Sequence, residues 1–296
     1  MTEGSEKRTI GFIGLGLMGS AMAEMLLDDG LKLVVWNRES EAYPHLEKRG
    51  AIIAESPAAV AAQCEVVMVC VIDTQAVRDV TLGTNGIVHG AKPGLIVVDH
   101  STAMPEDTAK IADQLNSAAG IRFIDAPVSG GPAFARARKL TIMAGGSESD
   151  LRSVTPLMAR YAQNITRMGN VGAGQMTKVL NQAISGVSYV LMAEVVRLAE
   201  LSGIDAARVP ECLAGGHADS VMLNFAYPKM LEKAFDPPAS LASQMLKDLK
   251  NVSAEAKRFG LNIPLVDSAK ERFADYVDSG GGRAETASIY KAYVDE

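Results

Sequence analysis

The chain has 296 residues, of which 48% are hydrophobic and 22% are charged. This length allows two domains with a large buried core, and the composition is that of an ordinary folded protein. The net charge of −6 offers no basic surface for nucleic acid, so no nucleic-acid partner is expected. Cys64, Cys70 and Cys212 lack the spacing of a zinc site or a disulfide framework, which favours a reducing cytoplasm.

Membrane and export signals are not expected either. Within the sequence we find no uninterrupted apolar run of the length that spans a bilayer. Residues 1–9 are polar, whereas a signal peptide has an apolar centre.

The first half of the chain alternates short β-rich runs with helical stretches, the first of these helices covering Gly19–Asp29. The runs are Thr9–Ile13, Lys32–Trp36, Val66–Val71, Leu95–Asp99, Arg122–Ala126 and Leu140–Ala144. Strands that alternate with helices pair in parallel through crossovers, and apolar centres suit strands buried on both faces. This pattern predicts an α/β Rossmann-type doubly wound sheet.

A glycine-rich turn joins the first predicted strand to this helix. It reads Gly14-Leu15-Gly16-Leu17-Met18-Gly19. The first glycine permits the tight turn, the second lets the backbone approach a pyrophosphate, and the third allows close helix–strand packing. Because the strand–turn–helix context is present, we predict that residues 14–18 bind a dinucleotide at the helix start. A turn that holds no ligand is the alternative.

The tip of the second strand carries Asn37 and Arg38. About 20 residues after the glycines, NAD users commonly place an acidic residue that binds the ribose 2′-hydroxyl. Asn37 lacks the charge that repels a 2′-phosphate, and Arg38 can form charge-assisted hydrogen bonds to one. We therefore predict NADP as the preferred cofactor and NAD as the alternative. In that alternative Arg38 is solvated and Glu39 binds the ribose.

Two later segments carry groups suited to a small carboxylate or carbonyl. Ser129, Gly130 and Gly131 follow a predicted strand, so their hydroxyl and N–H groups lie at the ligand-binding edge of the sheet. A plain tight loop also explains the two glycines. Lys178 and Gln182 share a helix face, with Asn181 beside them. These groups can protonate and orient a carbonyl oxygen, whereas a solvated lysine is the ordinary alternative.

From about Gly169 long helical patterns replace the strands. They cover Gln175–Leu201, Ala206–Leu213, Val221–Leu231, Leu241–Phe259 and Ile263–Ser279, with prolines between them. No Gly/Ser-rich linker separates the halves, which favours a connection through a long helix. We predict a dinucleotide-binding domain over residues 1–168 and an all-α substrate and oligomerisation domain over residues 169–296.

These segments together resemble the β-hydroxyacid dehydrogenase family, which includes 3-hydroxyisobutyrate dehydrogenase and tartronate semialdehyde (2-hydroxy-3-oxopropionate) reductase. The resemblance covers nearly the whole chain and includes Asp99-His100-Ser101-Thr102, Asp125–Gly131 and Lys247-Asp248-Leu249. It implies an NAD(P)-dependent oxidoreductase that interconverts a small 3-hydroxy acid and its semialdehyde. It also implies a homodimer or homotetramer.

The resemblance assigns roles to individual residues. Lys178 is expected to be the general acid/base, and burial beside the ligands would lower its pKa for that role. The expected substrate contacts are Ser129, Gly130, Gly131, Asn181 and Gln182. The expected cofactor contacts beyond the glycine turn and Asn37-Arg38 are Val71, Ile72, Thr102 and Lys247. A structural salt bridge is the alternative for Lys247 and Asp248.

Two departures from the family pattern affect the substrate. Many members have asparagine at the position of Gln182. Arg138 stands where glycine is common, and a positive φ there would cost about 1 kcal/mol, so we expect a remodelled loop. The cluster Arg136, Arg138 and Lys139 is open to three interpretations: a site for a second substrate anion, a solvated patch or an oligomer contact.

Two other functions are compatible with this architecture. One is an imine reductase-like enzyme, which Lys178 argues against because those relatives generally place another residue there. The other is a catalytically silent nucleotide-binding scaffold, which the lysine and the glycine loops argue against.

Overall fold

The computed structural model describes residues 9–294. The chain forms two compact units, of which the first ends at Lys178 and the second begins at Val179. Within the described residues the strands all belong to the first unit. They are β1 Thr9–Ile13, β2 Lys32–Trp36, β3 Ile52–Ile53, β4 Val66–Val69, β5 Ile96–Asp99, β6 Arg122–Asp125, β7 Val128–Ser129, β8 Leu140–Gly145 and β9 Ala162–Gly169.

These strands form one sheet in the order β3-β2-β1-β4-β5-β6-β8-β7, with β9 paired to β8. The pairs from β3 to β6 are parallel. β1 lies between β2 and β4, so the strand order reverses direction there. The carboxyl ends of strands at such a switch point form the usual ligand-binding crevice. The Rossmann-type prediction is confirmed.

The prediction of uniform parallel pairing is wrong for β8. This strand runs antiparallel to both β6 and β7. The segment 130–139, which joins β7 to β8, is shorter than the dozen or so residues that a parallel crossover needs, so these two strands pair as a hairpin. Sequence reasoning also missed β3, β7 and β9: the first two have two residues each, and β9 is largely exposed and lacks an apolar run.

Helices cover both faces of the sheet. They are α1 Leu17–Asp28, α2 Tyr43–Glu47, α3 Pro57–Ala61, α4 Thr74–Leu82, α5 Pro105–Ala119, α6 Gly131–Arg136 and α7 Glu148–Met158. Alternate residues of β4 enter different apolar clusters: Val66 and Met68 pack on one side, Val67 and Val69 on the other. This alternation explains why the central strands read as continuous apolar runs.

Among the described residues of the second unit, the regular structure is helical apart from an isolated β-bridge between Leu241 and Glu285. α8 Ala173–Ser202 begins in the first unit and is followed by α9 Val209–Leu213, α10 Val221–Leu231, α11 Ala242–Arg258 and α12 Pro264–Asp278, with a final 3-10 helix at Thr286–Tyr293. The predicted helices agree within two residues, except that Ala206–Leu213 divides into a 3-10 turn and α9. Tyr227, Phe273 and Tyr290 are among the buried side chains of its core.

The expectation that no segment is long and apolar enough to span a bilayer is corrected by α8. Among the described residues, it is the one helix whose length and composition suffice to cross a membrane. Its most apolar window is 44% buried within the protein. The core helix of a globular protein meets the same criteria of length and composition.

Candidate active site

The glycine turn after β1 has the geometry that its sequence predicts. Gly14 has a φ of +92°, and a Cβ there would overlap the carbonyl oxygen of Cys70. A Cβ on Gly19 would overlap the carbonyl oxygen of Gly14. Gly16 precedes α1 and has open space where its Cβ would be. The turn therefore leaves the backbone at Gly16 accessible beside a helix N-terminus, which suits a pyrophosphate.

The tip of β2 is tied to this turn by Asn37. Its Oδ1 accepts a hydrogen bond from Leu15 N–H (2.8 Å), and its Nδ2 donates to the carbonyl oxygen of Glu39 (2.7 Å). Tyr43 fixes the backbone of Asn37 at both its N–H (2.9 Å) and its carbonyl oxygen (2.7 Å). Both ends of the Asn37 amide therefore bind protein groups. Sequence reasoning missed Tyr43, which is six residues away and carries no motif.

Arg38 is largely exposed, with 79% of its side chain accessible. Its Nε donates to Glu39 Oε1 at 2.7 Å. The Arg38 guanidinium holds the pKa of the Glu39 carboxyl below its usual value. A 2′-phosphate binding to Arg38 would therefore compete with the carboxylate of Glu39.

The ends of β4 and β5 are bound to each other. Val71 N–H donates to Ser101 Oγ (2.9 Å), and Ser101 N–H donates to Asp99 Oδ1 (2.9 Å). Ile72 is half-exposed beside this junction. Thr102 follows Ser101 at the carboxyl end of β5, which is the edge of the sheet where Gly14 also lies.

Asp99 and His100 are both buried at this edge. Burial raises the pKa of Asp99 to about 6, opposed by hydrogen bonds from Ser101. Burial lowers the pKa of His100 to about 4, so the ring is neutral. Because Nδ1 lies 2.7 Å from the carbonyl oxygen of Ala126, it must carry the proton, and Nε2 accepts from Tyr161 at 2.8 Å. His100 is thus a core residue that holds β5 to the segment after β6.

Asp125, at the end of β6, caps the start of α8. Its Oδ1 accepts from Gly172 N–H and its Oδ2 from Gln175 N–H, each at 2.8 Å. Burial raises the pKa of this carboxyl, and the backbone N–H groups oppose the rise. A Cβ on Gly174 would lie 2.6 Å from the carbonyl oxygen of Asp125. The glycines before the lysine therefore allow the helix to begin directly against β6.

Lys178 is buried, and its Nζ donates to the carbonyl oxygen of Val128 at 2.8 Å. Ser129 is the next residue, followed by Gly130 and Gly131 with φ values of +131° and +77°. A Cβ on Gly130 would lie 2.8 Å from Phe134 Cβ, whereas Gly131 has open space. The structure thus brings the Lys178 ammonium against the segment that contains Ser129.

The predicted residues of the second unit form their own connected set. Asn181 Nδ2 donates to Gln182 Oε1 (2.7 Å), and Gln182 Nε2 donates to Asp248 Oδ2 (2.6 Å). Lys247 Nζ lies 3.0 Å from Asp248 Oδ1. Gln182 and Asp248 are buried. Asp248 therefore links the two amides of α8 to Lys247 of α11. The ion pair between Lys247 and Asp248 is the salt bridge that the sequence analysis gave as the alternative to cofactor binding.

The positive φ that a remodelled loop was expected to avoid is present after Gly131. Arg138 keeps a positive φ of 60° directly after α6. Its guanidinium binds Asp29 through two hydrogen bonds (2.6 and 2.8 Å), and Arg136 binds Glu24 through its Nε at 2.8 Å. Two of the three cations in the cluster are therefore paired with carboxylates of the first unit, which favours a structural role over a second substrate anion.

Three residues that support the site were not predicted from the sequence. Sequence reasoning missed Asp125, Gln175 and Ser101 as supporting groups, although their positions inside or beside the quoted motifs were the available signal.

A surface groove of about 390 Å³ is lined by residues that include Asp113, Arg122 and Asp150. None of the predicted site residues lines it.

The glycine turn at the switch point of a parallel sheet is the arrangement of a dinucleotide-binding fold. Residues 9–169 match the NAD binding domain of 6-phosphogluconate dehydrogenase. Residues 172–293 match the NAD-binding region of NADP-dependent 3-hydroxyisobutyrate dehydrogenase. The chain belongs to the 3-hydroxyisobutyrate dehydrogenase family of NAD(P)-binding hydroxyacid dehydrogenases.

Individual relatives agree with this placement. The chain is 34% identical over 283 residues to 2-hydroxy-3-oxopropionate reductase of Escherichia coli, covering 96% of each chain. It is 33% identical to a probable mitochondrial 3-hydroxyisobutyrate dehydrogenase of Dictyostelium discoideum, covering 97% of this chain and 91% of that one. The crystal structure of 3-hydroxyisobutyrate dehydrogenase from Salmonella typhimurium superposes with a TM-score of 0.87 at 28% identity, covering 96% and 99%.

Proposed function

We propose that this chain interconverts a small 3-hydroxy acid and its semialdehyde, of the 3-hydroxyisobutyrate or 2-hydroxy-3-oxopropionate type, with Lys178 as general acid/base. The observation that carries the proposal is the buried Lys178 ammonium, whose Nζ lies 2.8 Å from the Val128 carbonyl oxygen, next to Ser129. A proton donor there would stand close in the chain to the N–H and hydroxyl groups that we propose for the substrate carboxylate. The two relatives named for such reactions support the same substrate class.

Each group has one task in the reductive direction. A nicotinamide held at the glycine turn would supply the hydride that reduces the carbonyl carbon. Lys178 Nζ donates a proton to the carbonyl oxygen, so that the C=O bond becomes CH–OH, and the amine then recovers a proton from solvent. Ser129, Gly130 and Gly131 hold the carboxylate and fix the carbonyl relative to Lys178. In the oxidative direction Lys178 removes the hydroxyl proton.

Further groups complete the proposal. Residues 14–18, Val71, Ile72, Thr102 and Lys247 are the proposed cofactor contacts. Asn181 and Gln182 are the proposed substrate amides, with Gln182 oriented by Asp248 at 2.6 Å. We also propose cytoplasmic location, assembly as a homodimer or homotetramer, and no nucleic-acid or membrane partner. The proposed domain boundary lies at residues 168/169, at the last residue of β9, whereas the two compact units divide between Lys178 and Val179 within α8.

The decisive test is the Lys178→Ala variant in a cofactor-consumption assay with NADPH, NADH and a panel of short-chain semialdehydes. Loss of general acid catalysis should reduce kcat by at least about 100-fold. Cofactor affinity, measured by quenching of protein fluorescence, should stay within about twofold. Lys110→Ala, which removes an exposed lysine of α5, is the control and should match the native enzyme. Turnover by Lys178→Ala at the native rate would exclude the proposed role.

The preference for NADP rests on Asn37 and Arg38. Arg38→Ala should raise the KM for NADPH several-fold and leave the KM for NADH nearly unchanged, because only NADPH carries the 2′-phosphate. Glu39→Gln is the complementary variant. It frees Arg38 from its carboxylate partner at 2.7 Å and should lower the KM for NADPH. Equal effects on both cofactors would remove the argument for NADP.

A further inference from the structure

Gln175 lies three residues before Lys178 in α8, and both ends of its side-chain amide are bound. Oε1 accepts a hydrogen bond from Ala103 N–H (3.0 Å), and Nε2 donates to the carbonyl oxygen of Ser101 (2.8 Å). The side chain is fully buried. Ser101 and Ala103 flank Thr102 in the chain, so the Gln175 amide binds the loop after β5 on both sides of Thr102.

The backbone around Gln175 is fixed as firmly as its side chain. Asp125 accepts from the N–H groups of Gly172 and Gln175, each at 2.8 Å. A Cβ on Gly174 would lie 2.5 Å from the carbonyl oxygen of Met143, so the helix start is in close contact with the strands behind it. The first turn of α8 cannot shift without breaking buried hydrogen bonds, which is costly.

Residues three apart in a helix are neighbours on one face. The turn that Gln175 fixes therefore carries Lys178, whose Nζ is directed to the Val128 carbonyl oxygen (2.8 Å). We propose that Gln175 is a positioning residue that sets the Lys178 ammonium at a fixed place relative to the Thr102 loop. This inference rests on the proposed function, in which Thr102 contacts the cofactor and Lys178 moves the proton.

The two bonds also explain why an amide suits this position. Ala103 offers a donor and Ser101 an acceptor, and a glutamine side chain supplies the complementary pair. A glutamate carboxylate can accept but cannot donate. Misplacement of a catalytic group by about 1 Å can cost about 100-fold in rate, so loss of the amide should reduce the chemical step.

The experiment compares Gln175→Leu and Gln175→Glu with the native enzyme. We expect kcat with NADPH to fall about 10- to 100-fold and the KM for NADPH to stay within about twofold. The primary isotope effect from NADPH deuterated at the transferred position should increase, because hydride transfer becomes more rate-limiting. Gln175→Glu should recover part of its kcat at acidic pH, since a protonated carboxyl group can make both bonds.

Two controls separate positioning from general damage. Thr81→Val removes another buried hydrogen bond of the first unit, from Thr81 Oγ1 to the Val77 carbonyl oxygen (2.6 Å), and should leave kcat and the isotope effect unchanged. In the Lys178→Ala background, Gln175→Leu should have no further effect on kcat, because Gln175 acts through Lys178. An additive loss in that background would overturn the inference.

The outcomes also distinguish this inference from the proposed function. If Lys178→Ala loses turnover while both Gln175 variants keep native kcat, the acid/base role stands and the positioning role is wrong. If Gln175→Leu raises the KM for NADPH without changing kcat, Gln175 serves the cofactor loop and the inference is also overturned. If Lys178→Ala retains native turnover, both the proposed function and the positioning role are wrong.

Discussion

Asp99 and His100 are adjacent buried groups whose pKa values burial shifts in opposite senses. Asp99 has its pKa raised to about 6 and His100 has its pKa lowered to about 4. An acid whose pKa is raised by folding contributes stability below its unfolded pKa. For Asp99 this stability is lost as the pH rises through about 6. A histidine whose pKa is lowered by folding contributes stability above its unfolded pKa of 6.5. For His100 this stability is lost as the pH falls through about 4. Between pH 4 and 6.5 the two contributions therefore oppose each other.

Removing the carboxylate should expose the histidine contribution. We expect Asp99→Asn to lose about 3 kcal/mol more stability than the native chain on acidification from pH 6.5 to 4, from a shift of about two pKa units at 1.36 kcal/mol each. Urea unfolding at a series of pH values measures this. His100→Gln should show the reverse slope. Parallel profiles for native and Asp99→Asn chains would contradict the assignment.

Single residues also show where sequence reasoning stops. The left-handed geometry of Gly14 follows from its motif and is found at φ +92°. Arg138 has the same kind of backbone at φ 60° just past the end of α6, where the Lys139 N–H donates to the Phe134 carbonyl oxygen (2.8 Å), a common way for a helix to end. The local pattern does not indicate the partner of its side chain: Asp29, distant in sequence, accepts two hydrogen bonds from the Arg138 guanidinium. That guanidinium, with Arg160, lowers the pKa of Asp29 to about 2.

Among elements, the contact between α8 and α11 depends on one glycine. Gly186 of α8 is buried, and a Cβ there would lie 2.6 Å from Leu249 Cδ2 in α11. α11 also carries Lys247 and Asp248, so this close approach supports the hydrogen bond between Gln182 and Asp248 (2.6 Å). A larger residue at position 186 must displace Leu249 or the helix.

Gly186→Ala should therefore destabilise the protein. Overpacking a buried contact costs about 1–3 kcal/mol, whereas the gain in helix propensity is about 1 kcal/mol. We expect a net loss of about 1 kcal/mol in the free energy of unfolding, measured in urea. Ser188→Ala on the same helix removes only a hydroxyl bonded to the Ile184 carbonyl oxygen and should be near neutral. A Gly186→Ala chain more stable than the native one would contradict this packing argument.

At the scale of the whole molecule, α8 presents an unusual apolar stripe. Leu180, Ile184, Leu191 and Leu198 are 56%, 69%, 48% and 68% exposed, and their spacing of four and seven residues places them on one face. Large exposed apolar patches mark interaction surfaces. This stripe supports the proposed assembly with another copy of the chain.

Charging the stripe should weaken that assembly. We expect Ile184→Glu combined with Leu198→Glu to lower the mass measured by analytical ultracentrifugation toward that of a single chain. Arg152→Glu, on the exposed side of α7, changes the net charge by the same amount and should leave the mass unchanged. Circular dichroism checks that each variant is folded. An unchanged mass for the double variant would show that the stripe is not the interface.

The amino-acid sequence by itself determined the class of this protein. Strand periodicity predicts the parallel centre of the sheet, and three glycines predict the turn after β1, because both depend on local backbone geometry and on a repeating apolar pattern. The lysine and the segment before Gly131 were likewise recognisable as motifs.

Only the tertiary structure decided which groups hold the motifs in place. Asp125 binds N–H groups about fifty residues further along the chain, and Gln175 binds a loop more than seventy residues earlier. β8 runs antiparallel to β7 because the segment 130–139 between them is too short for a parallel crossover. Such pairings join segments that are distant in sequence, and each residue's local pattern is compatible with many partners. The fold selects the partners that satisfy the buried polar groups of Asp125 and Gln175.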